Sequence, residues 1–302
     1  MVIGRGSALL DNSNKLASLF QQKIKIRGTK MEYNCRLYSY PSGNHVTVYK
    51  KTITRQEKDI DIIRQENKQG KTEKTEKENL KKKNENFTKA HKNENRTQEA
   101  EEHCKNVSLS ATKNRIYNIA RSNTWQWFIT LTFDRNKAES SDYDIITRRL
   151  HKFLSNLQQR KCPDMKYLIV PELHKDGEHY HFHGLISNVD NLRFCFSGHF
   201  DKKGNPVFNI LDWSYGFTTA TQVKDTQKAS SYITKYVTKD TDRKLKHKKR
   251  YMCSRNIDRT EPEYMIIDEE EFLTLYGEDI TYAKNVIVPA AHQSINYYEI
   301  KD

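Results

Sequence analysis

From residue 71 to 103 the chain reads KTEKTEKENLKKKNENFTKAHKNENRTQEAEEH, where only Leu80, Phe87 and two alanines could enter a core. A block that mixes both charge signs with so few apolar residues cannot bury enough surface to offset the entropy of ordering it. Any folded unit must therefore be built from what lies on either side. The shift in composition runs from about residue 52 to 108, so 51–110 is expected to be a charged linker with transient helix supported by i,i+4 pairs. Within it, Gly70-Lys71-Thr72 imitates the end of a phosphate-binding loop. Gln65 stands where that motif needs glycine, and no apolar strand precedes it, so no ATPase or helicase module is expected.

The charge balance narrows the partners. Of 302 residues, 35% are hydrophobic and 30% charged, the formal net charge is +13, and the mean hydropathy is −0.92. Such a surplus of Lys and Arg points to a polyanion, with nucleic acid the first reading and an anionic membrane surface the rival. No apolar run approaches the length of a membrane span, and the opening MVIGRGSALLDNSNK lacks a signal-peptide core. The expectation is a cytoplasmic protein without a membrane partner. Cys35, Cys104, Cys162, Cys195 and Cys253 lie far apart with no CxxC pair, which argues against a zinc ribbon and against a disulfide framework.

Residues 33–50, YNCRLYSYPSGNHVTVYK, read as a hairpin in an N-terminal segment spanning 1–50. Beyond the linker, Ser110 is placed to cap a helix running through Ala120, followed by a strand at 124–134 (TWQWFITLTFD). Helical spacing of Ile145, Ile146, Leu150, Phe153, Leu154 and Leu157 marks a helix over 142–160. MKYLIVPEL (165–173) reads as a strand, and the polar turn 174–178 leads into HYHFHGLIS (179–187) as its hairpin partner. Further strands are expected at 213–223 and 250–257, with a helix at 229–239; the acidic segment 259–302 reads as an irregular tail. This order implies an α+β fold, an antiparallel sheet with flanking helices, over 111–258.

The chemistry is concentrated at two places. In a strand, alternate side chains share a face, so His181 and His183 point to one side while Phe182 points to the core. Two imidazoles hold a divalent ion poorly without a third ligand. Glu172, across the expected hairpin, is the carboxylate placed to join them, and His174 and His179 are spare candidates. A His-His-carboxylate set suits Mn²⁺ or Mg²⁺ acting on phosphate, and also zinc. The alternative is a polar strand face whose histidines merely suit the surface. The second place is YITKYVTK (232–239), where a helix would put Tyr232 and Tyr236 one turn apart beside Lys235 and Lys239. A tyrosine near a divalent ion and a phosphodiester can act as a nucleophile, and the lysines can stabilise the phenolate or the phosphate. The bland reading is an amphipathic helix with its tyrosines packed on the sheet.

Taken together, FITLTFD (128–134), ELHKDGEHYHFHGLI (172–186) and YITKYVTKD (232–240) resemble, in order, the three motifs of HUH endonucleases of the rolling-circle replication initiator type. The second is close to an ELHxDGxxHxH form with one extra residue before the histidine pair. The third, doubled as YxxKYxxK, is similar to the two-tyrosine arrangement of phage gene A proteins. The resemblance spans about 115–257 and implies an RRM-like domain, with His181, His183 and Glu172 as metal ligands and Tyr236 and Tyr232 as nucleophiles. Lys239 and Lys235 would assist. It further implies cleavage of a single-stranded DNA origin through a 5′-phosphotyrosine, with a host helicase and DNA polymerase as partners. Which tyrosine attacks first stays open. A two-tyrosine transposase or a relaxase keeps the chemistry and changes the biology; a relaxase would place its tyrosine upstream of the histidines. A non-catalytic nucleic-acid-binding protein and a structural zinc protein are the rivals of other classes.

Overall fold

Alternating aromatic and β-branched residues around Pro41-Ser42 build a long hairpin. After the short β1 (Lys25–Arg27) come β2 (Lys30–Tyr40) and β3 (Gly43–Gln56), longer at both ends than the expected 33–50. Gly43 closes the turn at φ 109°, and a Cβ there would stand 2.6 Å from the carbonyl oxygen of Ile300. The computed structural model describes residues 25–27, 30–56, 98–136, 140–245 and 248–301. Most of the expected linker, with Gly70-Lys71-Thr72, lies outside the described residues.

Helix α1 (Gln98–Arg121) begins well before Ser110, which sits in its interior rather than at its cap. Leu109, Ile116, Ile119 and Ala120 supply its buried stripe. There follow β4 (Trp127–Phe133), α2 (Tyr143–Arg160), β5 (Lys166–Leu173) and β6 (Tyr180–Ser187). Asp142 caps α2 by accepting from the backbone N–H of Asp144 at 2.8 Å and of Ile145 at 3.0 Å. Two strands the sequence reading did not assign come next, β7 (Phe194–Phe200) and β8 (Pro206–Ile210), then β9 (Gly216–Gln222). Helix α3 (Thr226–Ile233) gives way to a tight turn at Thr234–Tyr236, so the helix expected over 229–239 is broken in two. Thr238 caps the short α4 (Lys239–Lys244), and the strand expected at 250–257 shrinks to β10 (Met252–Cys253).

These strands form one antiparallel sheet in the order β10-β5-β6-β4-β9-β8-β7. Alternation along β4, β5 and β6 divides their apolar residues between two faces. Ile129, Leu131, Phe133, Ile169 and Phe182 pack against Ile146, Leu150, Leu154 and Leu157 of α2. On the other face Leu168, Val170 and Leu185 meet Ile116 and Ile119 of α1, Ile233 of α3, and Val237. Each such buried side chain contributes about 1.5–3 kcal/mol, so both layers hold the central strands.

The segment expected as an irregular tail is ordered. It contains β11 (Glu263–Met265), α5 (Glu269–Tyr276), β12 (Ile280–Val288) and β13 (Gln293–Ile300). Asp268 caps α5, and the three glutamates that made the stretch look acidic and solvated occupy its first turn, at the positive end of the helix dipole. A second antiparallel sheet runs β1-β2-β3-β13-β12, with β11 on β2. The described residues thus divide into two units, one drawn from 1–39, 43–102 and 261–302, the other from 40–42 and 103–260. The fold is α+β, with two antiparallel sheets. No described helix is long and apolar enough to cross a membrane.

Candidate active site

Strand register places the chemistry. β6 lies between β5 and β4, so His181 stands opposite Glu172 on one side and Thr132 on the other. His183 stands opposite Val170 and Thr130. Both imidazoles, Glu172 and both threonines therefore share the face that α1 and α3 cover only in part. Phe182, between the histidines, is fully buried on the α2 side and fixes which way they point.

Each imidazole is held at Nδ1 by a threonine hydroxyl. Thr130 Oγ1 lies 3.1 Å from Nδ1 of His183, and Thr132 Oγ1 lies 2.9 Å from Nδ1 of His181. Nε2 of His183 is 2.7 Å from Oε2 of Glu172. An ionised carboxylate only accepts, so Nε2–H of His183 donates to Glu172 and Nδ1 accepts from the Thr130 hydroxyl. A hydroxyl can also accept. His183 can thus move its proton to Nδ1 and free Nε2 for a ligand without losing Thr130. The T-x-T pattern in FITLTFD, in register with H-x-H, was the signal for this pair, and the sequence reading passed over it. Burial, together with the neighbouring imidazoles of His174 and His183, pushes the pKa of His181 below that of a free imidazole.

Tyr236 lies flat on His183, ring centroids 3.5 Å apart and planes 14° from parallel. The turn at Thr234–Tyr236 makes this possible, since buried Ile233 and Val237 anchor the chain on either side. Tyr232 meets the Tyr236 ring edge-on at 5.5 Å, and Phe128 lies beneath both, 5.2 Å from Tyr232 and 6.1 Å from Tyr236. Burial pushes the Tyr236 phenol well above its ordinary pKa, helped by a hydrogen bond with Tyr232 and by the charge of Glu172. A nucleophilic role for Tyr236 therefore requires positive charge brought close.

Of the expected lysines, Lys235 stands over the Tyr232 ring, its Nζ 5.3 Å from the centroid. Lys239 opens α4, and its side chain lies outside the described residues. Both spare histidines reach Asp176 Oδ2 through Nδ1, His174 at 3.2 Å and His179 at 2.8 Å; of the two, His174 also stacks on His181, at 4.8 Å. Asp176 closes the β5–β6 turn by accepting from the backbone of Glu178 and His179, so His174 is the histidine this turn brings beside the pair.

These side chains suit a divalent ion. Two imidazoles with Nδ1 already engaged and one carboxylate make a donor set fitting Mn²⁺ or Mg²⁺ on the Nε2 side. Among the described residues, no three such groups are already arranged to hold an ion, and Oε2 of Glu172 is bonded directly to Nε2 of His183. Ligation thus requires that hydrogen bond to open. Thr130→Val, which keeps the shape and deletes the hydroxyl, is expected to weaken Mn²⁺ binding about 10–100-fold, measured by electron paramagnetic resonance of free Mn²⁺. Unchanged affinity would show that Thr130 does not orient a ligand.

Residues 126–241, which contain all of these side chains, match the family model described as replication-associated protein ORF2. The match covers less than half of the chain and supports a rolling-circle replication-initiator type of family, with a role in replication. No curated protein and no solved structure matches the chain.

Proposed function

We propose that this protein initiates rolling-circle DNA replication by nicking and rejoining single-stranded DNA at an origin, through a 5′-phosphotyrosine formed on an RRM-like HUH endonuclease domain. The observation that carries the reading is the stack of Tyr236 on His183, the same imidazole that bonds Glu172. One side chain joins the nucleophile to the ligand set.

His181, His183 and Glu172 would hold a Mn²⁺ or Mg²⁺ ion, which would supply positive charge to the scissile phosphate and to the phenol. Tyr236 then attacks phosphorus through its phenolic oxygen, losing its proton to solvent. The P–O3′ bond breaks, its electron pair leaves with O3′, and that oxygen takes up a proton to become a free 3′-OH for a host polymerase. The 5′ end stays on the enzyme as a phosphotyrosyl ester. Attack by a 3′-OH on that ester reverses the step and reseals the strand. Tyr232, exposed beside Tyr236, is the group to cleave the regenerated origin and release the circle. Lys235 and Lys239 contribute cationic charge along the strand. Stacking and strand register hold the phenol against the imidazole of His183 before DNA arrives, which removes orientational entropy from the step.

The test is an incubation of the purified protein with end-labelled single-stranded origin DNA, with Mn²⁺ or with EDTA. An SDS-resistant protein–DNA adduct is expected with Mn²⁺ and none with EDTA. Origin DNA that is bound yet never joined to protein would overturn the enzymatic reading in favour of a binding module.

A further inference from the structure

The proposed chemistry leaves unused the hairpin of β7 and β8 at the far edge of the sheet, and there the protein displays aromatic rings in a row. Trp127 and Phe194 stack at 4.1 Å, and Phe208 meets Trp127 at 5.4 Å. Phe196 follows 6.1 Å from Phe208, and Phe200 lies 5.4 Å from Phe196. The first three are half-buried against the α2-side core, while Phe196 and Phe200 are 47% and 64% exposed. An aromatic ladder thus starts in the core and runs out into solvent on the face opposite the histidines. Pairing shifts register between Phe196 and Phe200, where Gly198 has φ 82°. Such a bulge bends an edge strand away from the regular ladder that invites pairing with another strand.

The tip of the hairpin is cationic. Its only carboxylate, Asp201, is spent on the turn, accepting from the backbone N–H of Lys203 and Asn205 at 2.8 Å and from Asn205 Nδ2 at 2.9 Å. Those bonds, that of the Asn205 side chain first, hold its carboxyl below the usual range. Lys202 and Lys203 are exposed, and Lys224 reaches the tip by donating to Asn205 Oδ1 at 2.8 Å. Exposed rings flanked by ammonium groups, in a chain of net charge +13, disfavour a second copy of the same chain and favour a polyanion with flat apolar faces.

We infer that the β7–β8 hairpin is a second single-stranded nucleic-acid site, where bases stack on Phe196 and Phe200 while Lys202, Lys203 and Lys224 follow the phosphates. The partner class rests on the function proposed above, but the site does not touch the nicking residues. It holds strand away from the scissile phosphate, so its loss lowers affinity and leaves the chemistry of bound DNA unchanged. Stacking of this kind tolerates any base.

The test uses the full chain and a fluorescein-labelled thirty-nucleotide oligo-dT, read by anisotropy in EDTA so that cleavage is off. Phe196→Ala with Phe200→Ala is expected to weaken binding about tenfold or more, and Phe196→Tyr with Phe200→Tyr to restore it, with circular dichroism checking the fold. Unchanged affinity in the alanine pair would overturn the proposal. So would sedimentation showing that the wild-type chain self-associates through these phenylalanines, which would make the occupant a second copy. Adduct formation on origin DNA with Mn²⁺, run in parallel, separates the two readings. If the wild-type chain forms no adduct, the nicking reading fails and the hairpin is still judged by affinity alone.

Discussion

Tyr236→Phe is expected to abolish the covalent protein–DNA adduct while leaving Mn²⁺ binding and the fold in place. The change deletes one oxygen. The ring keeps its 3.5 Å stack on His183 and its contact with Phe128, and the lost hydrogen bond with Tyr232 costs about 0.5–1.5 kcal/mol. Chemistry has no such reserve, because without the phenolic oxygen no bond to phosphorus forms at this position. Tyr232→Phe is expected to retain the first adduct. The hydrogen bond that Tyr236 donates to the Tyr232 oxygen is one of the causes that keep Tyr236 protonated, so removing that acceptor eases ionisation. Gels of end-labelled origin DNA after SDS treatment read both outcomes. An adduct that survives Tyr236→Phe but not Tyr232→Phe would reverse the order of the nucleophiles.

Much of this site was legible in the sequence alone. Alternation fixes which strand residues share a face, and so H-x-H placed His181 and His183 together, with Glu172 across the turn. The helical stripe of Ile146, Leu150, Leu154 and Leu157 marked α2 and its buried side for the same reason of period. What escaped depended on tertiary context. Nothing local in YITKYVTK says that the helix stops at Ile233; burial of Ile233 and Val237 on the sheet decides that, and it turns Tyr236 onto His183. Strands β7 and β8 were overlooked because FCFSGHF and PVFNI are short and contain a bulge that interrupts their alternation. The stretch after 260 looked solvated because its acidic residues dominate the composition. Its strand β13 is fixed by pairing with β3 more than two hundred residues earlier in sequence, through partners such as Tyr298 and Val46, and no window along the chain can display that.

His183→Ala should be the more damaging change, because this ring serves two neighbours at once. It is only 7% exposed, and its removal leaves Glu172 Oε2 and Thr130 Oγ1 without their partner and takes away the surface on which Tyr236 lies. Both groups are half-buried and water takes up part of what is lost, so the cost in urea unfolding is expected to be about 0.5–1.5 kcal/mol. Mn²⁺ affinity should fall by at least about 100-fold, since losing a ligand exceeds the usual effect of losing its support, and the adduct should fall to background. On the proposed ligand set, His181→Ala removes one ligand but leaves the Tyr236 stack untouched, so it should share the loss of metal and spare more of the stability. Tyr236→Phe completes the comparison, losing the adduct and keeping the metal. If His183→Ala still formed a Mn²⁺-dependent adduct, the ion would have to be held elsewhere on this face. The stacked pair His174 and His181, 4.8 Å apart beside Glu172, is where it would then be sought.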